Sequence, residues 1–375
     1  MKIISIGLYN PIPIQSGVDS YISYLLNPLG KNNDVIHYYF YKSKHKNNHG
    51  SNGVNFHSKY IQSNIFTNNQ QMPRLYRLLR PDLYFDKSSL RYISADIVIC
   101  DTFTFNAAYY IAKKNKCQLV MIKHNIEWKY LQNDNSKLYP FLKGYEQYTN
   151  KKSNAIITIS MNDYKFLIKN IDKKKVFFVP HKVNTNMFKP KGPSYDFGNQ
   201  KLNILFYGSL DRPMNIKAIE FIKKQLIPEL KENGLLDKVQ INIFGSGKPP
   251  QSLDIEHDKF INFLGLVEDP SYYIRGADVV IVPLNNAGGV KIRLLESLYC
   301  GKPIIATEAA TDGLSKELKN MIYIKNDSKG FVEIIKNFIN GNANRIIQAN
   351  VNQLMRQIKG TTLQKVITKN KTRNT

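Results

Sequence analysis

Residues 283–298 read PLNNAGGVKIRLLESL, and here two glycines, Gly288 and Gly289, run through Val290 into two cations, Lys291 and Arg293, with no acid before Glu296. The first turn of a helix carries the positive end of the helix dipole and normally collects Asp or Glu. A basic first turn behind a glycine loop instead brings backbone N–H groups and cations together, which is the donor set of a phosphate or diphosphate site. The bland alternative is a glycine turn with two solvated basic residues. A second candidate is His124, which follows the apolar run 119–122. Open α/β sheets gather ligands at the carboxyl ends of their strands, although a single histidine beside a strand is often structural. A third is Gly17, in the loop between the first strand and the first helix, where a close backbone approach and a plain tight turn compete.

These residues need elements to hold them. Residues 278–282 read as a buried strand, Ile292, Leu295, Leu298 and Tyr299 fall at helical spacing behind it, and Gly301 and Pro303 lead into another strand. At the other end, residues 2–8 read as a strand, and Val18, Tyr21, Ile22, Leu25, Leu26 and Leu29 form one helical face that Gly30 stops. Apolar runs at 35–41, 96–100, 119–122, 155–159 and 176–179, then at 202–207, 239–244 and 261–267, continue the alternation. It predicts an α/β protein of two doubly wound, Rossmann-like domains facing across a cleft. Expected boundaries are 1–187 for a first domain, 188–200 for a Pro- and Gly-bearing linker, 201–359 for a second domain, and 360–375 for a frayed tail. Residues 42–72 are polar, Asn- and His-rich, and read as a loop.

Four strings together resemble the family-4-type glycosyltransferases of the GT-B fold: GVKIRLLESLYCGKPIIATEAATDGL from Gly289, H-N-I-E from His124, F-Y-G-S with Pro213 and Asn215, and V-P-H-K-V-N-T-N-M-F-K-P from Val179. The likeness is best over 176–315. It implies that Glu296 holds the ribose hydroxyls of a nucleotide and that the backbone near Leu266 and Val267 receives the base. It further implies a donor-diphosphate site at Gly288, Gly289, Val290, Lys291 and Arg293, joined by Gly208, Arg212 and Gly17, and a donor-sugar contact from His124. The implied reaction is hexosyl transfer from a UDP- or GDP-linked sugar to a hydroxyl, with retention of configuration and without a dedicated general base, a metal or any further cofactor. The chain departs from the commonest pattern at Gly288, where a second Glu usually stands, and at His181-Lys182, which replace Asn-Gly.

Bulk composition bounds the partners. The formal net charge is +24, and residues 1–187 hold 26 Lys/Arg against 11 Asp/Glu, so +15 of it lies in the first half. Such a balance suits an anionic membrane surface, a phosphorylated substrate or nucleic acid, or is simply a solvated surface. Arg74, Arg77, Arg80 and Arg91 stand among Leu, Tyr and Phe, a pattern that fits either an interfacial segment or a core-facing helix. No DNA-reading helix or aromatic RNA-binding string is present, so nucleic acid is not expected. The three Cys show no metal or redox spacing, no apolar run approaches a membrane span, and the strand pattern from Lys2 leads us to expect no secretory leader. The expectation is a cytoplasmic protein, peripheral on the inner face of the membrane, acting on a glycan or lipid-linked acceptor. The competing readings are a nucleotide-sugar epimerase of the same fold and a basic DNA-modifying protein.

Overall fold

The structure, a computed structural model, describes residues 1–7, 17–40, 61–63, 90–133, 137–285, 289–342 and 361–371. The chain divides into two compact units, Met1–His181 with Gly360–Thr375, and Lys182–Lys359.

The first unit is built on a parallel sheet of seven strands: β1 (Lys2–Gly7), β2 (Asp34–Phe40), β3 (Ile61–Ser63), β4 (Ile97–Asp101), β5 (Gln118–Lys123), β6 (Ala155–Thr158) and β7 (Val176–Phe178). Their spatial order is β3-β2-β1-β4-β5-β6-β7. The central strands β4, β5 and β6 are mostly apolar and buried along their length, as expected for a sheet covered by crossover helices on both faces. The order reverses between β1 and β4, where Ile3 pairs with Ile97, so the carboxyl ends of β1 and β4 border the switch point, with β5 next to β4.

The second unit repeats the plan with β8 (Leu202–Tyr207), β9 (Val239–Phe244), β10 (Ile261–Gly265), β11 (Val279–Val282), β12 (Ile304–Ala306) and β13 (Tyr323–Ile324). The order is β10-β9-β8-β11-β12-β13, again all parallel, with the switch between β8 and β11. Each unit is thus a doubly wound α/β sheet.

Three expectations change. The polar stretch 42–72 contains β3, which pairs with β2 through Tyr38 and Ile61. The stretch 188–200 is bound to the second unit. Phe188 is buried in that unit's core, the Tyr195 ring stacks on Tyr273 at 4.5 Å, and Arg275 donates to the carbonyls of Pro193 (2.6 Å) and Met187 (3.2 Å). Gly276 leaves room for the Tyr195 carbonyl, which a Cβ there would strike. Finally, the tail 360–375 includes a helix, Leu363–Lys371, that belongs to the first unit. Leu363, Val366 and Ile367 lie at i, i+3 and i+4 and are buried, and the Thr361 N–H donates to the Phe178 carbonyl at 2.9 Å. Three apolar residues in a polar stretch suffice for that helix because the first unit supplies the surface they cover.

Candidate functional site

In the second unit two loops leave neighbouring strand ends, one after β8 and one after β11. The first begins at Gly208, whose φ of +153° disfavours a side chain. A Cβ there would run into the Arg293 guanidinium, so glycine is required for that side chain to lie against the backbone. The turn continues through Ser209, whose carbonyl accepts from Asn215 Nδ2 at 2.7 Å, to Arg212, an exposed residue in extended conformation that caps the helix Pro213–Phe221.

The second loop ends on the helix Ile292–Tyr299. Lys291 is its N-cap residue, with no side-chain cap bond and no acid in the first turn, as the spacing predicts. Gly289 is buried with φ +68°, and Val290 and Lys291 are half-buried. Gly313 braces this loop from behind: a Cβ on it would sit 2.8 Å from Gly289 C and Val290 N. Gly288 lies outside the described residues.

Arg293 and Glu296 lie one turn apart and meet Tyr207, the last residue of β8. The Tyr207 hydroxyl is 3.0 Å from the Arg293 carbonyl, 3.2 Å from Glu296 Oε2 and 3.2 Å from Ser297 Oγ. Arg293 Nη2 donates to Asn215 Oδ1 at 2.9 Å, and its guanidinium lies over the Phe206 and Tyr207 rings. Its Nη1 is buried with no partner among the described residues, an unsatisfied cationic donor of the kind that costs stability unless a ligand fills it. Burial lowers the Arg293 pKa and pushes the Glu296 carboxyl up to about 7, against the opposing pull of the Tyr207 hydroxyl and Arg293. Tyr207 and Gly313 both stand inside strings that resemble the family, F-Y-G-S and the one from Gly289, but neither residue has a role assigned there. Of the expected base-contact residues, Leu266 is 76% exposed, while Val267 packs partly against the core.

The raised Glu296 carboxyl makes a test with a definite sign. A ligand hydroxyl that donates to it favours the ionised form, so binding releases a proton wherever the free carboxyl is still protonated. Affinity for a bare nucleoside, which has no phosphate to titrate, is expected to rise about tenfold per pH unit below about 7 and to level off above it. Glu296→Gln should flatten that slope. Calorimetric titration between about pH 5.5 and 8 measures it, and a parent protein with flat affinity would remove Glu296 from the ligand's contacts.

In the first unit, His124 follows β5 directly, and its ring stands edge-on to Tyr21 at 5.9 Å. Tyr21 donates to the Val179 carbonyl at 2.8 Å and stacks on His181 at 5.5 Å. His124 Nε2 and both ring nitrogens of His181 are buried without hydrogen-bond partners among the described residues. Burial lowers each imidazole to about 4, with His124 adding to the effect on His181, so both are neutral near pH 7. Beneath them, Lys123 is fully buried and paired with Glu146 at 2.7 Å. Gly17 is the first residue of the helix Gly17–Gly30 that carries Tyr21. Among the described residues no three His, Cys, Asp or Glu side chains are placed to share a metal ion.

Comparison with known proteins bears on this arrangement. Residues 201–340 match the family of glycosyl transferases group 1. A curated relative, an uncharacterised 44.6 kDa protein in the cps region of Klebsiella pneumoniae, is 26% identical over 264 residues, and the match spans 65% of each chain. The chain therefore aligns with just under two thirds of that relative's length. Among solved structures, sucrose-phosphate synthase of Thermosynechococcus elongatus aligns with a TM-score of 0.74 at 14% identity, over 98% of this chain and 97% of its own. HepE of Anabaena, solved in complex with UDP-glucose, aligns with a TM-score of 0.66 at 13% identity, over 99% of this chain and 98% of its own. Residues 201–340 thus match glycosyl transferases group 1, and the chain as a whole has the GT-B fold of these solved structures.

Proposed function

We propose that this protein transfers a hexosyl group from a UDP- or GDP-linked donor to a hydroxyl of a glycan or lipid-linked acceptor, without a metal and with retention of configuration. The observation that carries the reading is the Tyr207–Glu296–Arg293 arrangement at the switch point of a group 1 domain. Glu296 accepts the ribose hydroxyls and Tyr207 fixes its carboxylate. The leaving diphosphate gains negative charge as the glycosidic bond breaks, and a metal-free site must meet that charge with cations and oriented N–H groups. Lys291, Arg212 and the backbone at Gly289 and Val290 supply them, with the Arg293 Nη1 as a further donor. His124 contacts the donor sugar. HepE's complex with UDP-glucose makes a uridine donor the first to try.

The test is a screen of nucleotide sugars for release of free nucleoside diphosphate, with and without glycan acceptors and with a chelator added. Acceptor-dependent release that survives chelation is the expected result. Turnover without any acceptor would favour epimerisation, and no release from any donor would remove the reading.

The basic first half, +15 over residues 1–187, suits an acceptor held at an anionic surface, and we place the enzyme on the cytoplasmic face of a membrane. No helix among the described residues is long and apolar enough to cross one. The segment holding Arg74, Arg77 and Arg80 lies outside the described residues.

A further inference from the structure

Among the described residues six large hydrophobic side chains are exposed, and three of them, Leu138, Phe141 and Tyr148, stand on or directly before one helix, Tyr139–Lys152. Their exposures are 42%, 61% and 44%. The other three, Met1, Tyr92 and Leu266, are scattered along the sequence, and isolated exposed hydrophobics are ordinary on a surface. Three on one short element are not. Phe141 and Tyr148 are about two helical turns apart and therefore point the same way.

The inner face of this helix is settled. Leu142, Tyr145, Glu146, Thr149 and Asn150 are buried, and Glu146 is tied to Lys123. Glu146 is also the only acid between residues 137 and 152, so every exposed position of this stretch is basic, apolar or neutral. Lys137 precedes Phe141 by one turn, and Lys151 and Lys152 follow Tyr148. The Lys152 ammonium lies over the Tyr148 ring. The stretch is thus an exposed aromatic ridge with cations at both ends and no acid to repel an anion. A peripheral helix held at a lipid headgroup boundary needs these features: apolar side chains to insert, lysines whose long stems let the ammonium stay among phosphates, and an opposite face anchored in the protein. A protein partner would be matched by the ridge, but it would not require the whole outer face to be free of acids.

We propose that the outer face of the helix Tyr139–Lys152 is the surface by which the first unit docks on an anionic lipid bilayer, with Phe141 inserted between headgroups and Lys137, Lys151 and Lys152 set on their phosphates. This rests on the membrane-held acceptor of the preceding section and assigns its docking face. It needs no part of the nucleotide site.

The experiment is co-sedimentation of the full chain with vesicles of phosphatidylcholine alone or mixed with phosphatidylglycerol, at low and high salt. The parent should sediment only with the anionic vesicles, less so at high salt. Phe141→Ser should bind about tenfold more weakly, the scale of one buried aromatic side chain. Lys137, Lys151 and Lys152 changed together to Glu should bind about a hundredfold more weakly, since each cation near an anionic leaflet contributes about fivefold. Both variants should keep the parent's nucleotide-induced rise in melting temperature, which shows that they are folded. A parent that stays in the supernatant with every vesicle would overturn the membrane reading together with this inference. A parent that sediments, with both variants sedimenting equally well, would overturn the inference alone and leave the reading intact, with the Arg74, Arg77 and Arg80 segment as the next place to test.

Discussion

Changing His124 to Ala is expected to lower turnover by about a hundredfold or more while leaving nucleoside diphosphate binding near that of the parent, the scale of a lost positioning group. The expectation comes from what the ring lacks. His124 Nε2 is buried and has no partner among the described residues, and burial lowers the imidazole to about 4, so a neutral ring faces its surroundings with hydrogen-bonding capacity unused. Tyr21 stands edge-on to it and is itself held by the Val179 carbonyl, which fixes where that capacity points. A group that is already neutral is not switched by pH in the ordinary histidine range. The turnover of the parent should therefore show no inflection near pH 6.5 from this residue, only a loss as pH falls towards about 4. His124→Gln keeps a donor and an acceptor without the ring and should recover part of the rate. Steady-state kinetics beside a nucleotide melting assay separates the outcomes. If the Ala variant turns over like the parent, or unfolds, His124 is part of the framework.

The second large effect is on stability. Glu146→Ala should destabilise the protein by about 3–5 kcal/mol, the cost of leaving one member of a buried ion pair without its partner. Lys123 ends β5 with its side chain fully buried, and Glu146 holds it at 2.7 Å while also accepting from the Trp128 N–H at 3.3 Å. Removing the carboxylate strands an ammonium in the interior and frees a backbone donor at the start of the segment that follows His124. Lys123→Met in the same chain should restore most of the loss, because replacing both charges by apolar groups is often close to neutral. Chemical unfolding of the parent, the single variant and the double variant measures this. A Glu146→Ala protein within about 1 kcal/mol of the parent would mean that water reaches Lys123 and that the pair behaves like a surface bridge.

The strands and their order of appearance were legible in the residues. β4, β5, β8 and β11 are runs of β-branched and other apolar residues that read as buried strands wherever they are placed, and the spacing of Ile292, Leu295, Leu298 and Tyr299 reads as a helix without reference to anything distant. The basic, acid-free first turn at Lys291 is likewise local, and the structure retains it. Motif order carried the resemblance to glycosyltransferases, and the match of residues 201–340 agrees with it.

What the sequence alone did not determine is who meets whom. Tyr207 and Glu296 are 89 residues apart, and only the pairing of β8 beside β11 brings them within 3.2 Å. Gly208 reads as a turn, but the reason for glycine is the Arg293 side chain lying against it, which no local pattern contains. The 360–375 stretch is too polar to read as structure, and it folds over 363–371 because the first unit offers a surface to Leu363, Val366 and Ile367. The aromatic and basic outer face of Tyr139–Lys152 is hidden in the same way. Tyr145 and Phe141 are both aromatic, and burial of one and exposure of the other follow from which side of the helix packs against Phe103, Trp128 and Leu131. Propensity and periodicity act over one or two turns of chain, whereas a site is made by contacts between segments that the chain itself keeps far apart.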